Sequence, residues 1–144
     1  MSYTYEYPRP AVTADSVVFL REDGQVKVLL IQRQRNPYVG TWAFPGGFVE
    51  ENETVEACAS RELAEETALS NIDLKLFEVI SDPKRDPRAR TITVVYYGFT
   101  DNNNKLVHAG DDAAAAHWFP INNLPQMAFD HDKILNKLLK EIEK

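Results

Sequence analysis

Runs of apolar residues divide the first third of the chain into strand-like segments. An apolar, β-branched run from Val12 to Leu20 is followed by turn residues from Glu22 to Gln25, and then by a second apolar run from Val26 to Ile31. Apolar runs on either side of a short turn are typical of a β-hairpin, so we predict one here. A short strand-like segment, Trp42 to Phe44, precedes two adjacent glycines.

The second half of the chain carries further strand-like segments. Ile72 to Ile80 alternates apolar and polar residues, and Thr91 to Thr100 is the most strand-like run of the chain. Shorter strands are predicted from Lys105 to His108 and from His117 to Ile121, where Pro120 interrupts strand pairing. Between these two strands, Ala109 to Ala116 is expected to form a loop.

Two segments are predicted to be helices. The first is expected to be capped by Asn52, a residue type that commonly caps helices, to begin at Glu53 and to end at about Thr67. The second is expected to be capped by Asp130. Its apolar residues form one stripe that predicts core packing, and they are Ile134, Leu135, Leu138, Leu139 and Ile142.

Three glutamates of the first helix carry its chemistry. Glu62, Glu65 and Glu66 are spaced i, i+3 and i+4, so they share one helix face, where like charges repel. A divalent cation would offset this repulsion. A solvated acidic face is the alternative, but it fits poorly because Val55, Cys58 and Ala59 lie on the same side. The opposite side, with Ala57, Ser60 and Ala64, is small enough to pack closely as well.

The first ten residues carry tyrosines at every second position. Tyr3, Tyr5 and Tyr7 precede Pro8 and Pro10, which favours an extended lead-in and at most an edge strand. The tyrosines suit an aromatic flap packed on the surface, or alternatively a base-stacking role.

Composition limits the classes of function. A chain of 144 residues has the size of one domain, which we expect to span residues 1–144. The net charge of −6 argues against nucleic-acid binding. One cysteine, Cys58, excludes an internal disulfide. There is no apolar run of about 18 residues and no signal-peptide pattern, so we expect a cytoplasmic protein without a membrane partner.

Basic side chains concentrate in the loop between residues 81 and 90. Lys84, Arg85, Arg88 and Arg90 outnumber Asp82 and Asp86 there. Arginine binds phosphate in bidentate fashion, so the loop suits an anionic ligand, but its own Asp–Arg pairs are an equally good explanation. Arg33, at the end of the second strand, is either a phosphate contact or a solvated surface residue.

The segment from Gly47 to Leu69 resembles the Nudix box, GX5EX7REUXEEXGU, in which U is aliphatic. Glu53 is the first acid of the pattern. Arg61, Glu62, Leu63, Glu65, Glu66 and Leu69 fill most of its remaining positions. One position departs, because Ala68 replaces the family's glycine. That glycine ends the helix in a left-handed conformation, which costs a residue with a Cβ atom roughly 1 kcal/mol.

The resemblance implies an α/β Nudix fold, in which a mixed β-sheet is sandwiched between helices (α/β/α). It also implies a hydrolase that cuts a nucleoside diphosphate linked to another group, with Mg²⁺ (or Mn²⁺) as cofactor. Glu62, Glu65 and Glu66 would be metal ligands, with the backbone carbonyl of Gly46 or Gly47, of which we choose Gly47. Arg61 would hold the carboxylates in place, and Glu53 would be either its partner or an outer metal ligand.

The general base varies within this family. Some members use a glutamate of the box, here Glu65 or Glu66, and others use an acid on a later loop before a strand that contains tryptophan. Asp112, with Asp111 beside it, precedes Trp118 in such a loop. Alternatively, this acid pair only caps or solubilises an alanine-rich loop.

Stretches outside the box also resemble ADP-ribose pyrophosphatases and the related Nudix regulators of NAD metabolism. They are NPYVGTWAFPGGFVE, SDPKRDPRARTITVVYY and AFDHDKIL. This resemblance implies a small nucleotide substrate, with contacts from Arg33, Arg85, Arg88, Phe129 and Asp130. The regulators carry an additional DNA-binding domain, whereas this chain ends soon after its last helix.

The box of the regulators is often eroded, whereas the acids are intact here, which favours an enzyme. The resemblance then implies hydrolysis of ADP-ribose to AMP and ribose 5-phosphate. The alternatives are a nucleoside triphosphate pyrophosphohydrolase and a sensor that binds ADP-ribose without turnover. Members of the ADP-ribose branch are often homodimers, and the tyrosines of the lead-in are suited to such an interface.

Overall fold

The predicted hairpin lies in the middle of a mixed sheet. The computed structural model describes residues 2–101, 107, 109–110 and 113–143. Strands β1 (Ala11–Glu22) and β2 (Gln25–Arg33) pair antiparallel. The turn residues Asp23 and Gly24 both have positive φ, 52° and 77°, as a two-residue type I′ turn requires.

Five further strands complete the sheet, and they are β3 (Trp42–Ala43), β4 (Gly46–Phe48), β5 (Lys75–Ile80), β6 (Thr91–Thr100) and β7 (Ala113–Pro120). The order is β3-β2-β1-β6-β5, and in addition β4 pairs with β1 and β7 pairs with β2. β1 and β6 run parallel along their whole pairing. The other pairings are antiparallel, so the sheet is mixed, as the Nudix resemblance implied.

The two helices, α1 (Val55–Thr67) and α2 (His131–Ile142), cover opposite faces of this sheet. Side chains of a strand alternate between faces, and the core divides accordingly. One core cluster contains Val17, Phe19, Val28, Leu30 and Val95 with Ile134, Leu135 and Leu138 of α2. The other side contains Val18, Leu20, Leu29 and Trp118 with Leu63 of α1. The α/β/α sandwich is therefore confirmed, as is the buried stripe of α2.

Helix α1 begins two residues later than predicted. Its N-cap is Thr54, whose side-chain oxygen accepts a hydrogen bond from the Ala57 amide at 3.1 Å, so Asn52 as the cap was wrong. The predicted end at Thr67 is confirmed. Ala68 follows in the left-handed conformation, with φ 66° and ψ 8°, and its amide donates to the Ala64 carbonyl at 2.9 Å.

Only one side of α1 is buried. Cys58 and Ala59 are 0% and 1% exposed, as the shared apolar side predicted. Ala57, Ser60 and Ala64 on the opposite side are exposed, so the expectation that this side is also covered was wrong. The sheet covers the helix from one direction, and the small side chains on the other side lie in solvent.

Three segment boundaries also differ from prediction. β5 begins at Lys75 because Ile72 and Leu74 pack into the cores on the α1 side before the strand starts. The predicted loop from Ala109 to Ala116 is wrong over its last four residues, which extend β7 along β2. Of the strand predicted from Lys105 to His108, only Val107 lies within the described residues, and it is not in a strand.

The lead-in forms no strand between residues 2 and 10. Tyr3, Tyr5 and Tyr7 are 53%, 48% and 72% exposed, and the Tyr3 hydroxyl donates to Glu51 at 2.9 Å. Neither helix in the described part of the chain has the length and apolarity needed to span a bilayer.

Candidate active site

A cavity of about 450 Å³ lies where β4 and α1 meet the 81–90 loop and the start of α2. Its walls combine acids, arginines and backbone from distant parts of the chain. The residues that matter for its chemistry are Asp15, Arg33, Gly46, Gly47, Glu62, Glu66, Arg85, Arg88, Phe129 and His131. Four described candidates from the sequence do not line this cavity, and they are Glu53, Arg61, Glu65 and Asp130. Asp112, like Asp111, lies outside the described residues.

The two glycines allow side chains to approach the backbone of β4. A Cβ atom on Gly46 would overlap the carboxylate of Asp15, and one on Gly47 would lie 2.5 Å from the carboxylate carbon of Glu62. At Gly47 a side chain would fit only if the Glu62 carboxylate moved, and at Gly46 the backbone carbonyl of Ala14 also excludes one. The cavity wall is built from this close contact between acids and bare backbone.

Glu66 connects α1 to β4. Its side chain is largely withdrawn from solvent, with the residue 8% exposed, and its Oε1 accepts a hydrogen bond from the Gly46 amide at 2.7 Å. This charge-assisted bond is short, as expected for a carboxylate that receives a backbone N–H. It fixes the position of the acid relative to the glycine turn.

Register in the β1–β4 pair distinguishes the two glycine carbonyls. Ala14 is opposite Gly47, and the flanking bonds are Ser16 N–H to the Pro45 carbonyl (2.9 Å) and Val49 N–H to the Val12 carbonyl (3.0 Å). Hydrogen-bonded positions alternate along antiparallel strands, so Gly47 directs its polar groups to β1 and Gly46 directs its own away. The Gly47 carbonyl also accepts from the Cys58 thiol at 3.5 Å. The carbonyl on the same side as Glu66 thus belongs to Gly46.

Arg61 joins three glutamates. Its guanidinium donates to both oxygens of Glu53 at 2.9 and 2.7 Å, to Glu62 at 2.9 Å and to Glu65 at 3.2 Å. The hydrogen bonds from Arg61 lower the pKa of Glu53 to about 2. Burial raises the pKa of Glu62 above its ordinary value, although Arg61 opposes that rise. Arg61 therefore stabilises three neighbouring carboxylates that would otherwise repel one another.

The oxygen atoms around the Gly46–Glu66 contact fit a hard divalent cation. Carboxylate oxygens of Glu62, Glu65 and Glu66 and a backbone carbonyl are the oxygen ligands that Mg²⁺ and Mn²⁺ prefer. Within residues 2–101, 107, 109–110 and 113–143, no three His, Cys, Asp or Glu side chains already converge on one point. Arg61 instead occupies oxygens of Glu62 and Glu65, and Gly46 those of Glu66.

A second wall combines aromatic rings with arginines. The guanidinium carbons of Arg33 and Arg88 lie 4.9 and 5.1 Å from the ring centroid of Phe129, and Arg88 is also 5.2 Å from that of Phe48. The ring of Tyr38 meets Phe129 edge-on at 4.9 Å. Stacking on aromatic faces orients a guanidinium while leaving its edge for hydrogen bonds.

Two arginines of the 81–90 loop are already paired with acids. Arg88 donates to both oxygens of Asp86 at 2.7 and 3.0 Å. Burial opposes ionisation of Asp86, but the bonds from Arg88 lower its pKa overall. Arg85, with a side chain 4% exposed, donates to both oxygens of Asp130 at 2.8 and 3.0 Å. Asp130 occupies the N-cap position of α2, yet its side chain makes no capping bond, so the predicted cap was wrong in this respect.

Two buried ionisable residues in this cavity were not predicted from the sequence. Asp15 is 7% exposed and accepts a hydrogen bond from the Thr93 hydroxyl at 2.6 Å. His131 is 4% exposed, stacks on Phe44 at 4.6 Å and accepts the Phe44 amide on Nδ1 at 3.1 Å. Both had a signal: Asp15 interrupts an apolar strand, and His131 continues the buried stripe of α2 by one turn.

Comparison with known proteins places this arrangement in a family. A model of the NUDIX domain matches residues 10–139. The ADP-ribose pyrophosphatase of Methanocaldococcus jannaschii is 43% identical over 134 residues, which cover 93% of this chain and 76% of that protein. The ADPR responsive transcriptional repressor NtrR of Acinetobacter baylyi is 34% identical over 92% of this chain, which spans 54% of the repressor.

A solved structure gives the same result for the fold. The NUDIX domain of Shewanella oneidensis NrtR, complexed with ADP ribose, superposes with a TM-score of 0.88 at 28% identity, over 94% of this chain and 90% of that domain. The family match, the similarity over nearly the whole chain and the contact between Gly46 and Glu66 all point to the same family. This chain belongs to the NUDIX domain family.

Proposed function

We propose that the protein hydrolyses ADP-ribose to AMP and ribose 5-phosphate with a divalent cation. The observation that carries the proposal is the buried Glu66 carboxylate on the Gly46 amide, inside a cavity whose other wall presents arginines. It is supported by the 43% identity to an ADP-ribose pyrophosphatase.

Glu62, Glu65 and Glu66 would hold the cation, together with the backbone carbonyl of Gly46 in place of Gly47. When bound, a divalent cation polarises the phosphate oxygens and lowers the pKa of the attacking water. We propose Mg²⁺ as the physiological ion, with Mn²⁺ able to replace it, since both prefer oxygen ligands. Arg61, supported by Glu53, orients the carboxylates, because its planar donors fix their positions.

The arginine wall would receive the diphosphate. Arg33 and Arg88 present guanidinium groups that are held against Phe129. Arg88 is paired with Asp86, but its side chain is 38% exposed, so an anionic ligand can reach it. Arg85 is neutralised by Asp130 and nearly buried, so its part is to fix the loop from which Arg88 extends. Phe129 then acts as the platform for both guanidinium groups.

Of the two box glutamates, Glu66 is bound to the Gly46 amide, which leaves Glu65 and Asp112 as the candidates for the general base. Glu65 has a side chain that is 58% exposed and lies one helical turn from Arg61. Asp112, on the loop before β7, is the other candidate. Each acid would be replaced by its amide and the turnover measured against pH. The general base is the acid whose replacement removes the ionisation that turnover requires.

An ADP-ribose sensor is the second candidate function. The repressor of Acinetobacter baylyi, which is 34% identical over 92% of this chain, is ADPR responsive, and this supports a sensor as the second candidate. The complete set Glu62, Glu65 and Glu66 favours the enzyme, since a sensor needs no catalytic cation.

We further propose that two copies associate through the exposed tyrosines of the lead-in, which size-exclusion chromatography with light scattering would detect.

A substrate panel separates these functions. The protein would be incubated with Mg²⁺ or Mn²⁺ and with ADP-ribose, sugar nucleotides or nucleoside triphosphates, and the products identified by chromatography. We expect AMP from ADP-ribose as the fastest reaction. Pyrophosphate released from a triphosphate would favour a pool-cleaning enzyme, and calorimetric binding of ADP-ribose without AMP would favour the sensor.

A further inference from the structure

The turn that carries Gly46 is held by three structural elements. Pro45 has no N–H, so the hydrogen bonds available to this turn are few. Ser16 of β1 donates to the Pro45 carbonyl at 2.9 Å, and the Gly46 amide donates to Glu66 of α1 at 2.7 Å. The third bond comes from the Phe44 amide, which donates to His131 Nδ1 of α2 at 3.1 Å.

This bond defines the state of the imidazole. A nitrogen that accepts an N–H carries no proton, so the hydrogen of a neutral ring resides on Nε2. Burial lowers the pKa of His131, which favours the neutral form. Nε2 lies 3.8 Å from Asp15 Oδ2, and the nearly parallel ring of Phe44, tilted by 14°, prevents rotation of the imidazole.

Asp15 restrains the same turn from the side of β1. Its carboxylate is close enough to Gly46 that a Cβ atom there would overlap it, and the Thr93 hydroxyl fixes its other oxygen at 2.6 Å. The turn is therefore confined between a carboxylate held by β6 and an imidazole held by α2. Both groups are nearly buried, and neither is among the cation ligands or phosphate contacts proposed above.

We propose that His131 is a positioning residue for the cation site. By accepting the Phe44 amide it fixes the turn, so that the Gly46 amide meets Glu66 and the Gly46 carbonyl faces the same acids, with Asp15 as the opposing restraint. The proposal rests on the function proposed above, because it assumes that Glu66 and Gly46 belong to a cation site. It assigns a role in that site to α2, which lies on the sheet face opposite α1.

Two substitutions separate the acceptor from the bulk of the side chain. His131→Asn keeps an oxygen close to the position of Nδ1, so it retains an acceptor for the Phe44 amide. His131→Leu keeps the approximate bulk of the side chain but leaves the Phe44 amide without its acceptor. Leu135→Ala is the matched control, because it disturbs the same core one turn further along α2 but leaves the acceptor of the Phe44 amide in place.

We would titrate the full chain with Mn²⁺ in the absence of nucleotide and monitor the unbound ion by its electron paramagnetic resonance signal. We expect His131→Leu to weaken binding by about 10-fold or more, as loss of a supporting hydrogen bond commonly does. His131→Asn should remain within about 3-fold of the wild type, and Leu135→Ala should bind normally despite lower stability in urea.

Three outcomes would overturn the proposal. If His131→Leu binds Mn²⁺ as tightly as the wild type, the imidazole does not position the site. If Leu135→Ala weakens binding as much as His131→Leu, the effect is general destabilisation. If the wild type binds no Mn²⁺, the cation site itself is wrong, and with it the metal-dependent part of the proposed function.

Discussion

At the scale of single residues, Glu66 combines a structural bond with a charge. Glu66→Gln keeps an oxygen for the Gly46 amide but removes the negative charge, so the fold should persist. We expect the turnover of ADP-ribose to fall by about 100-fold or more, because a charged metal ligand supplies several kcal/mol of transition-state stabilisation. Steady-state AMP release and the circular dichroism spectrum would check both parts.

Glu56→Gln is the control for this substitution. It makes the same chemical change in the first turn of the same helix, on an exposed side chain. It should turn over ADP-ribose like the wild type. Equal losses in the two variants would mean that net charge, not the position of Glu66, determines the rate.

The Glu53–Arg61 pair makes stability depend on pH. The pKa of Glu53 is about 2 in the folded protein against an ordinary value of 4.5, so the folded state binds fewer protons in this range. The stabilisation is therefore complete above about pH 4.5 and is lost as the pH falls toward 2. Urea unfolding should show Glu53→Gln less stable than the wild type at pH 7, with the gap closing as the pH falls. A gap that is independent of pH would contradict this assignment.

At the scale of elements, the C-terminal end of α1 carries avoidable strain. Ala68 has φ 66°, a conformation that glycine adopts without a Cβ penalty. We expect Ala68→Gly to raise the free energy of unfolding by about 0.5–1 kcal/mol, after allowance for the greater entropy of the unfolded chain. Ala64→Gly, at an exposed interior position of the same helix, should lower it by about the same amount. If both variants are destabilised, the left-handed conformation of Ala68 is wrong.

The 81–90 loop is connected to α2 by a nearly buried ion pair. Arg85→Leu would leave the Asp130 carboxylate without its bidentate partner, so we expect a loss of about 3 kcal/mol in unfolding free energy. Asp130→Leu should cost a similar amount, and the double variant should cost less than the sum. A double-mutant cycle in urea measures this coupling. Strict additivity would show that the pair does not stabilise the loop.

Elements specified by local sequence could be predicted, whereas elements that depend on a remote pairing partner could not. The hairpin, β6 and the stripe of α2 were predictable because local periodicity and turn residues specify them. The first residues of β7 were not, because alanines have little strand preference and become a strand only by pairing with β2. The cap was misplaced because Asn52 and Thr54 are both good capping residues, and only the backbone geometry selects Thr54.

At the scale of the whole molecule, the sheet brings remote segments to one cavity. β4 pairs with β1 and places Gly46 beside Asp15, α1 supplies the glutamates from one face, and the start of α2 contributes His131 from the other. The glutamates could be predicted because they share one helix. The Phe44–His131 bond could not, since its partners are 87 positions apart and meet only through the fold.

Cation-dependent hydrolysis of ADP-ribose is tested most directly by phosphorus NMR of the wild-type protein with ADP-ribose, in the presence and absence of a divalent cation. We expect the diphosphate signals to be replaced by those of AMP and ribose 5-phosphate in equal amounts, and chelation of the cation to stop the reaction. Unchanged ADP-ribose in the presence of Mg²⁺ and of Mn²⁺ would contradict it.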